Sequence, residues 1–117
     1  MNRLQLAAIA ALAAFVLPAA SALGAPPKLT GTVGPGFTIT LTQGGKAVKT
    51  LKAGTYTIKV ADKSAQHNFH LTGPGVNKKT SVPGTGNQTW TVKLAKGTYK
   101  FVCDPHKSFM KGSFKVS

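Results

Sequence analysis

Hydrophobic and polar residues alternate with a period of two in four short runs beyond residue 25. Such alternation predicts strands with one buried face. The alternating runs lie at residues 37–42, 56–60, 90–94 and 99–103. The first of them would point Phe37, Ile39 and Leu41 inward. Glycine-containing turns separate the runs, and no window in this part of the sequence has a convincing 3.6-residue stripe. We therefore predict an all-β fold, and the turn spacing is typical of a Greek-key β-sandwich.

A short repeat precedes two of these strands. The sequence LKAGTY at residues 51–56 is echoed by LAKGTY at residues 94–99, so that Tyr56 and Tyr99 each follow a glycine turn. Tyrosines in this position are typical of tyrosine corners, in which the hydroxyl donates a hydrogen bond to the backbone at a Greek-key crossover. The alternative is a tyrosine that packs in the core and leaves its hydroxyl in solvent.

A long connection is predicted at residues 72–89, which are rich in Gly, Pro, Asn and Thr. We expect it to carry the chain from one sheet to the other. A short strand is expected near residues 79–82, and nothing in the connection suggests catalysis.

The N-terminus is organised like a secretory signal peptide. A short polar start containing Arg3 precedes the almost wholly apolar run Leu4–Leu17, and Ala20-Ser21-Ala22 has the small-x-small pattern of a cleavage site. The apolar run is short for a membrane span, and no later segment approaches one. We therefore predict cleavage after Ala22. Cleavage after Ala25 and an uncleaved N-terminal anchor are the alternatives.

This cleavage site defines the expected domain organisation. Residues 1–22 would be the signal peptide, residues 23–36 a Pro/Gly-rich lead-in, and residues 37–117 one domain. About 95 residues remain after cleavage, which suffices for one small domain. The mature chain is expected in the periplasm or outside the cell, without a transmembrane segment and as a monomer.

The mature chain is strongly basic. It contains 14 lysines, no arginine and two acidic residues, Asp62 and Asp104, which gives a formal balance of +12. Nucleic-acid-binding surfaces favour arginine, so a nucleic-acid partner is not predicted. The lysines are spread along the chain, as on a soluble charged surface. The alternative is electrostatic steering towards an acidic protein or an anionic envelope surface, which salt would weaken.

Three soft metal ligands lie close together near the C-terminus. Cys103, His106 and Met110 fall within eight positions. The pair Asp104-Pro105 ends the strand before them, because proline cannot donate to the ladder and restricts the residue that precedes it. His106 and Met110 are therefore expected on a loop between two strands. Cys103 is the only cysteine, so its thiol is either reactive or occupied in an exported chain.

A thiolate, two imidazoles and a weak thioether are the ligands of a mononuclear blue-copper site. The loop supplies one imidazole, so the second would come from His67 or His70. In an extended segment His67 shares a face with Phe69 and Leu71, which are candidate core residues, whereas His70 points to the other side. We therefore assign one copper ion to His67, Cys103, His106 and Met110, and interpret His70 as a surface histidine.

Two other interpretations of these residues exist. Cys103 would be a buried, inert core thiol and the histidines would be surface residues, as free cysteines and histidines often are. Alternatively, zinc would occupy the same ligands, since availability in the cell decides which metal binds.

The run GTYKFVCDPH at residues 97–106, followed by Met110, Gly112 and Val116, resembles the copper loop of the cupredoxin family, in particular of its plastocyanin/azurin-like blue (type 1) copper proteins. The pair His67-Asn68 is similar to that family's upstream ligand histidine and its asparagine neighbour. The loop differs from the plastocyanin pattern in having three rather than four residues between His106 and Met110. The resemblance implies that the Asn68 amide ties the His67 segment to the loop around Cys103.

The resemblance also implies a function. An exported cupredoxin would carry single electrons between redox proteins, an acidic partner being one candidate, and would not be an enzyme. The electron would pass through His106, and Pro105 and Phe109 would flank it in an apolar docking patch unless Phe109 packs in the core. A copper enzyme would need more histidines, and Val102 rather than a histidine precedes Cys103. The alternatives are a periplasmic copper carrier or storage protein, and a metal-free basic β-sandwich that binds an anionic surface.

Overall fold

The structure is a computed structural model that describes residues 24–117; the predicted signal peptide at residues 1–22 lies outside them. The described part contains ten strands and a single 3-10 turn, Asp104–His106. The strands are β1 (Lys28–Val33), β2 (Ile39–Gln43), β3 (Lys46–Ala47), β4 (Thr50–Leu51), β5 (Gly54–Asp62), β6 (His70–Gly73), β7 (Val76–Lys79), β8 (Gly86–Leu94), β9 (Gly97–Val102) and β10 (Lys111–Val116). Across residues 24–117 there is no helix with the length and apolarity needed to cross a membrane.

Two five-stranded sheets form the fold. The first has the order β3-β2-β1-β5-β8 and the second the order β4-β10-β9-β6-β7. The chain crosses between the sheets five times, from β3 to β4, β4 to β5, β5 to β6, β7 to β8 and β8 to β9. Inward positions alternate along the strands, as in β8, where Trp90, Val92 and Leu94 are buried while Thr91 and Lys93 are exposed. The predicted all-β Greek-key sandwich is confirmed.

β1 corrects the expected start of the domain. It lies within the segment predicted as a lead-in, yet it pairs antiparallel with β2 and parallel with β5 near the centre of the first sheet. Leu29 and Val33 are buried, but Gly31 stands between them. Glycine is required there because a Cβ would lie 2.8 Å from Cζ of Phe69. This glycine interrupts the hydrophobic alternation, and the sandwich begins at Lys28 rather than at residue 37.

Phe37 and the long connection also differ from the predictions. β2 begins at Ile39, and Phe37 is 61% exposed instead of facing the core. The short strand within the connection is β7, at Val76–Lys79 rather than at residues 79–82. The connection does carry the chain from the second sheet to the first, as expected.

Both tyrosine corners are present. The Tyr56 hydroxyl donates to the carbonyl oxygen of Lys52, and the Tyr99 hydroxyl donates to that of Ala95, each at 2.7 Å. Tyr99 Oη also lies 3.2 Å from the carbonyl oxygen of Pro74. These hydroxyls fix the backbone at the turns before β5 and β9, the latter being the strand that ends next to Cys103.

Candidate metal centre

The ligand loop between β9 and β10 is closed by its own backbone. The amide of His106 donates to the carbonyl of Cys103 (3.0 Å), and the amide of Met110 donates to the carbonyl of His106 (2.8 Å). The amide of Cys103 donates in turn to the carbonyl of Met110 at 3.0 Å. Cys103 and Met110 are both buried, whereas His106 is half-buried. The backbone of the loop therefore holds all three residues at one end of the sandwich.

His67 reaches the same place from the connection between β5 and β6. A turn around Ser64 precedes it, in which the Ser64 amide donates to Asp62 Oδ1 (3.2 Å) and the Gln66 amide donates to Ser64 Oγ (3.0 Å). His67, Asn68 and Phe69 are all buried, and β6 begins only at His70. The segment is thus not a regular strand, but the inward placement of His67 expected from periodicity is what the structure shows.

The three ligand atoms have separations that suit one metal ion. Cys103 Sγ lies 3.7 Å from His67 Nδ1 and 3.6 Å from His106 Nδ1. All three atoms lie within 4.8 Å of one another. Two ligands bound at about 2.0 Å (nitrogen) and 2.3 Å (sulfur), with angles of about 110–120°, would be about 3.5–3.7 Å apart. His67, Cys103 and His106 are therefore placed to hold a metal ion, and a thiolate with two imidazoles suits copper.

Asn68 joins the His67 segment to the ligand loop. Its Nδ2 donates to Asp104 Oδ2 (2.8 Å) and to the carbonyl of Thr80 (3.2 Å), while its Oδ1 accepts from the amide of Asp104 (2.7 Å). The Asn68 amide also donates to Cys103 Sγ at 3.5 Å. A backbone N–H can only donate and a carbonyl can only accept, so the orientation of the Asn68 side chain is fixed. The expected tie between the two segments is confirmed.

Thr80 is a supporting residue that the sequence did not reveal. Its buried hydroxyl accepts from the amide of Phe69 (2.9 Å) and donates to Asp62 Oδ2 (2.9 Å). Its amide donates to the carbonyl of Phe69 at 3.0 Å. Thr80 thereby fixes the residues that follow His67. It stands in a Gly/Pro-rich connection among other polar residues, which gave no signal of this role.

His70 lies outside the ligand cluster, as predicted, but it is not a free surface histidine. Its Nδ1–H donates to Asp104 Oδ1 at 2.9 Å, and its Nε2 lies 2.7 Å from Asn77 Oδ1. Burial raises the pKa of the Asp104 carboxyl, but hydrogen bonds from His70 and Asn68, with the charges of His70 and Lys79, bring that pKa below its ordinary value. Asp104 is therefore an anion held in place from two sides.

The lowered pKa of Asp104 predicts how the stability of the apoprotein changes at acidic pH. The folded state favours the carboxylate, so its stabilising effect is present above the ordinary pKa of about 3.9 and is lost as the pH falls through the lowered folded-state value. We expect the unfolding free energy of the apoprotein to fall less steeply below about pH 4 in Asp104→Asn than in the parent. Urea unfolding at a series of pH values measures both slopes. Equal slopes would contradict this role of Asp104.

Two exposed aromatic rings flank the half-buried His106. Phe37 and Phe109 are 61% and 59% exposed. The Phe37 ring centroid lies 5.1 Å from that of His106 and 5.2 Å from that of His67, and the Phe109 centroid lies 5.6 Å from that of His106. Phe109 thus belongs to the expected apolar patch and not to the core. Phe37 was missed, because its place in an alternating run favoured an inward position.

Comparison with known proteins agrees with this fold and site. Residues 36–117 match the family described as copper binding proteins, plastocyanin/azurin family. The chain therefore belongs to this family of copper-binding cupredoxins, as its copper loop indicated. No curated protein sequence matches it.

Solved cupredoxin structures share the fold. Reduced rusticyanin is similar with a TM-score of 0.55 and 20% identity, over 77% of this chain and 78% of that one. Rusticyanin from Thiobacillus ferrooxidans gives a TM-score of 0.52 and 23% identity, over 77% and 76% of the two chains. A methionine-to-glutamine mutant of amicyanin in the Cu(I) state gives 0.52 and 20%, over 83% and 89%. At these identities the similarity concerns the fold.

Proposed function

We propose that this protein carries single electrons between redox partners through one copper ion held by His67, Cys103, His106 and Met110. The observation that supports this most is the cluster of one cysteine sulfur and two Nδ1 atoms within 4.8 Å of one another. Bound copper would supply a one-electron Cu(I)/Cu(II) couple. We expect no substrate to be transformed.

The chain's own residues suit such a role because hydrogen bonds within the protein hold them in place. Three backbone hydrogen bonds close the loop of Cys103, His106 and Met110, and Asn68 and Thr80 hold the His67 segment. A site whose ligands are held by such bonds needs little rearrangement between oxidation states. Met110 is buried and its carbonyl accepts a hydrogen bond from the amide of Cys103, and we assign its sulfur the weak axial thioether position.

Electrons would enter and leave through His106. It is the half-buried member of the cluster, and it packs against the exposed rings of Phe37 and Phe109. We propose that these rings form the apolar surface on which a redox protein docks. Aromatic side chains supply large contact area to such interfaces. The basic composition makes an acidic partner a good fit.

We further propose that the chain is exported. Residues 1–22 would be removed as a signal peptide after Ala22, and the mature protein would act in the periplasm or outside the cell as a monomer. The N-terminal charge, apolar run and small-residue pattern support this. N-terminal sequencing of the protein recovered from its native host tests the cleavage site, and an intact leader there would contradict it.

Reconstitution with copper tests the proposed function. One equivalent of Cu(II) added to metal-free protein should give an intense blue thiolate-to-copper band and a narrow hyperfine splitting in the paramagnetic-resonance spectrum. The band should disappear on one-electron reduction, return on reoxidation, and persist against a Cu(II) chelator. A blue protein that readily gives its copper to the chelator would indicate a copper carrier instead. A colourless protein would overturn the blue-copper assignment.

A further inference from the structure

Three lysines lie close together on the outer face of the second sheet. Lys100 on β9, with Lys111 and Lys115 on β10, are all exposed. Lys100 is directly opposite Ser113, and Lys115 is opposite Thr98. Lys100 is therefore the diagonal cross-strand neighbour of both Lys111 and Lys115, at about 7–8 Å between backbone positions. We call Lys100, Lys111 and Lys115 the basic face.

Neither acidic side chain within residues 24–117 forms an ion pair with the basic face. Asp62 is buried and accepts hydrogen bonds from Thr80 and Ser64. Asp104 is paired with His70 and Asn68. Like charges at neighbouring positions of a sheet are destabilising. The fold thus tolerates a repulsion that polar residues at the same positions would avoid.

The surface between these lysines is concave. A shallow depression of about 350 Å³ is lined by Lys100, Val102, Lys111, Gly112 and Ser113. Val102, which lies at its edge, is half-buried. The depression can therefore receive a protruding carboxylate between the ammonium groups of Lys100 and Lys111, with the Ser113 hydroxyl as a further donor.

The outer face of the first sheet has a different arrangement. Its exposed lysines are Lys28, Lys59 and Lys93. Lys28 is opposite Thr57 and is thus the diagonal neighbour of Lys59. Lys59 is opposite Thr89, however, which lies four residues from Lys93 along β8, about 13 Å away. This face therefore has one diagonal lysine pair where the basic face has two. The positions between and beside them are mainly threonines. This face has as many lysines as the basic face but a lower local charge density.

The basic face adjoins the copper ligands. Val102 directly precedes Cys103, and Lys111 directly follows Met110. Lys111 is opposite Val102 in the register of β9 and β10. A molecule bound in the depression would therefore contact the residues next to two proposed ligands. The side chains that it contacts are not those of the Phe37–Phe109 surface.

We propose that the basic face is a docking site for an acidic patch on a protein redox partner, separate from the apolar surface around His106. This rests on the proposed electron-transfer function and specifies the partner surface. A protein is favoured over a membrane because the exposed large apolar side chains among residues 24–117, Phe37 and Phe109, do not line the depression. Membrane-surface binding combines basic residues with apolar anchors.

A polyglutamate peptide is the probe for this site. It is titrated into the ¹⁵N-labelled, Cu(I)-loaded protein at low ionic strength, and amide shifts are followed for the parent and two triple variants. One variant carries Lys100→Gln, Lys111→Gln and Lys115→Gln. The matched control carries Lys28→Gln, Lys59→Gln and Lys93→Gln, which removes the same charge from the other face.

The shift changes are expected in β9 and β10, centred on Lys100 and Ser113. The peptide should bind about tenfold more weakly to the basic-face variant and only about twofold more weakly to the control. Equal weakening in the two variants, shifts spread over both sheets, or no binding to the parent would overturn the proposal. Binding to vesicles of equimolar phosphatidylglycerol and phosphatidylcholine is measured as well. Vesicle binding by the parent and the control, but not by the basic-face variant, would also overturn the proposal, because it would identify a membrane as the partner.

The copper spectra of the same samples separate this proposal from the proposed function. Neither triple variant substitutes a proposed ligand, so both should keep the parent's spectrum. A parent without the blue band would contradict the electron-transfer function, whatever the peptide does. A blue parent that binds the peptide without preference for β9 and β10 would contradict the basic face alone.

Discussion

Replacing Cys103 by serine should abolish the intense blue absorption of the copper-loaded protein. The thiolate is the donor for that band, and Cys103 is the chain's only cysteine, so no neighbouring sulfur of the same kind can replace it. The hydroxyl of serine is a harder and much less acidic ligand than a thiol. We expect complete loss of the band and a wider hyperfine splitting for any copper that remains, measured by visible and paramagnetic-resonance spectroscopy.

Two histidine variants accompany this experiment. His67→Ala should also lose the band, because it removes one of the two Nδ1 atoms near Cys103 Sγ. His70→Ala should keep it, because the His70 ring is directed to Asp104 and Asn77 rather than to the ligand cluster. A blue Cys103→Ser protein, or loss of the band in His70→Ala but not in His67→Ala, would show that the ligand assignment is wrong.

The copper loop could be predicted from sequence because its information is local. Cys103, His106 and Met110 are separated by a few residues, and Asp104-Pro105 marks the end of the strand by simple steric rules. Strand alternation then distinguished His67 from His70. The sandwich itself was predictable for a similar reason, since period-two alternation and glycine turns are visible in single segments.

Other features could not be predicted because they depend on contacts between distant segments. β1 was missed because Gly31 interrupts its hydrophobic alternation, and the reason for that glycine is the Phe69 ring from the segment before β6. Thr80 holds the His67 segment through bonds to Phe69 and Asp62, which are 11 and 18 residues away. Phe37 follows the alternation of its neighbours, yet its contacts are with His67 and His106.

Asn68→Ala should destabilise the apoprotein by about 2–4 kcal/mol while leaving copper ligation intact. The substitution removes the partners of the Asp104 amide and of the buried Thr80 carbonyl. A buried polar group that loses its partner costs about 1–3 kcal/mol. The Asn68 backbone amide that donates to Cys103 Sγ remains, so the blue band of the copper-loaded variant should persist.

Asn77→Ala is the matched control for this prediction. Asn77 is exposed, and its side chain bonds only to His70 among the described residues, so water can replace the lost partner and the cost should be below about 1 kcal/mol. Urea unfolding of the two apoproteins gives both values, and copper release should be faster from Asn68→Ala because its loop is no longer tied to the His67 segment. Equal stability of the two variants would mean that backbone hydrogen bonds alone fix the loop. A larger loss in Asn68→Ala, with the blue band retained, would separate the residue that holds the site together from the residues that bind the metal.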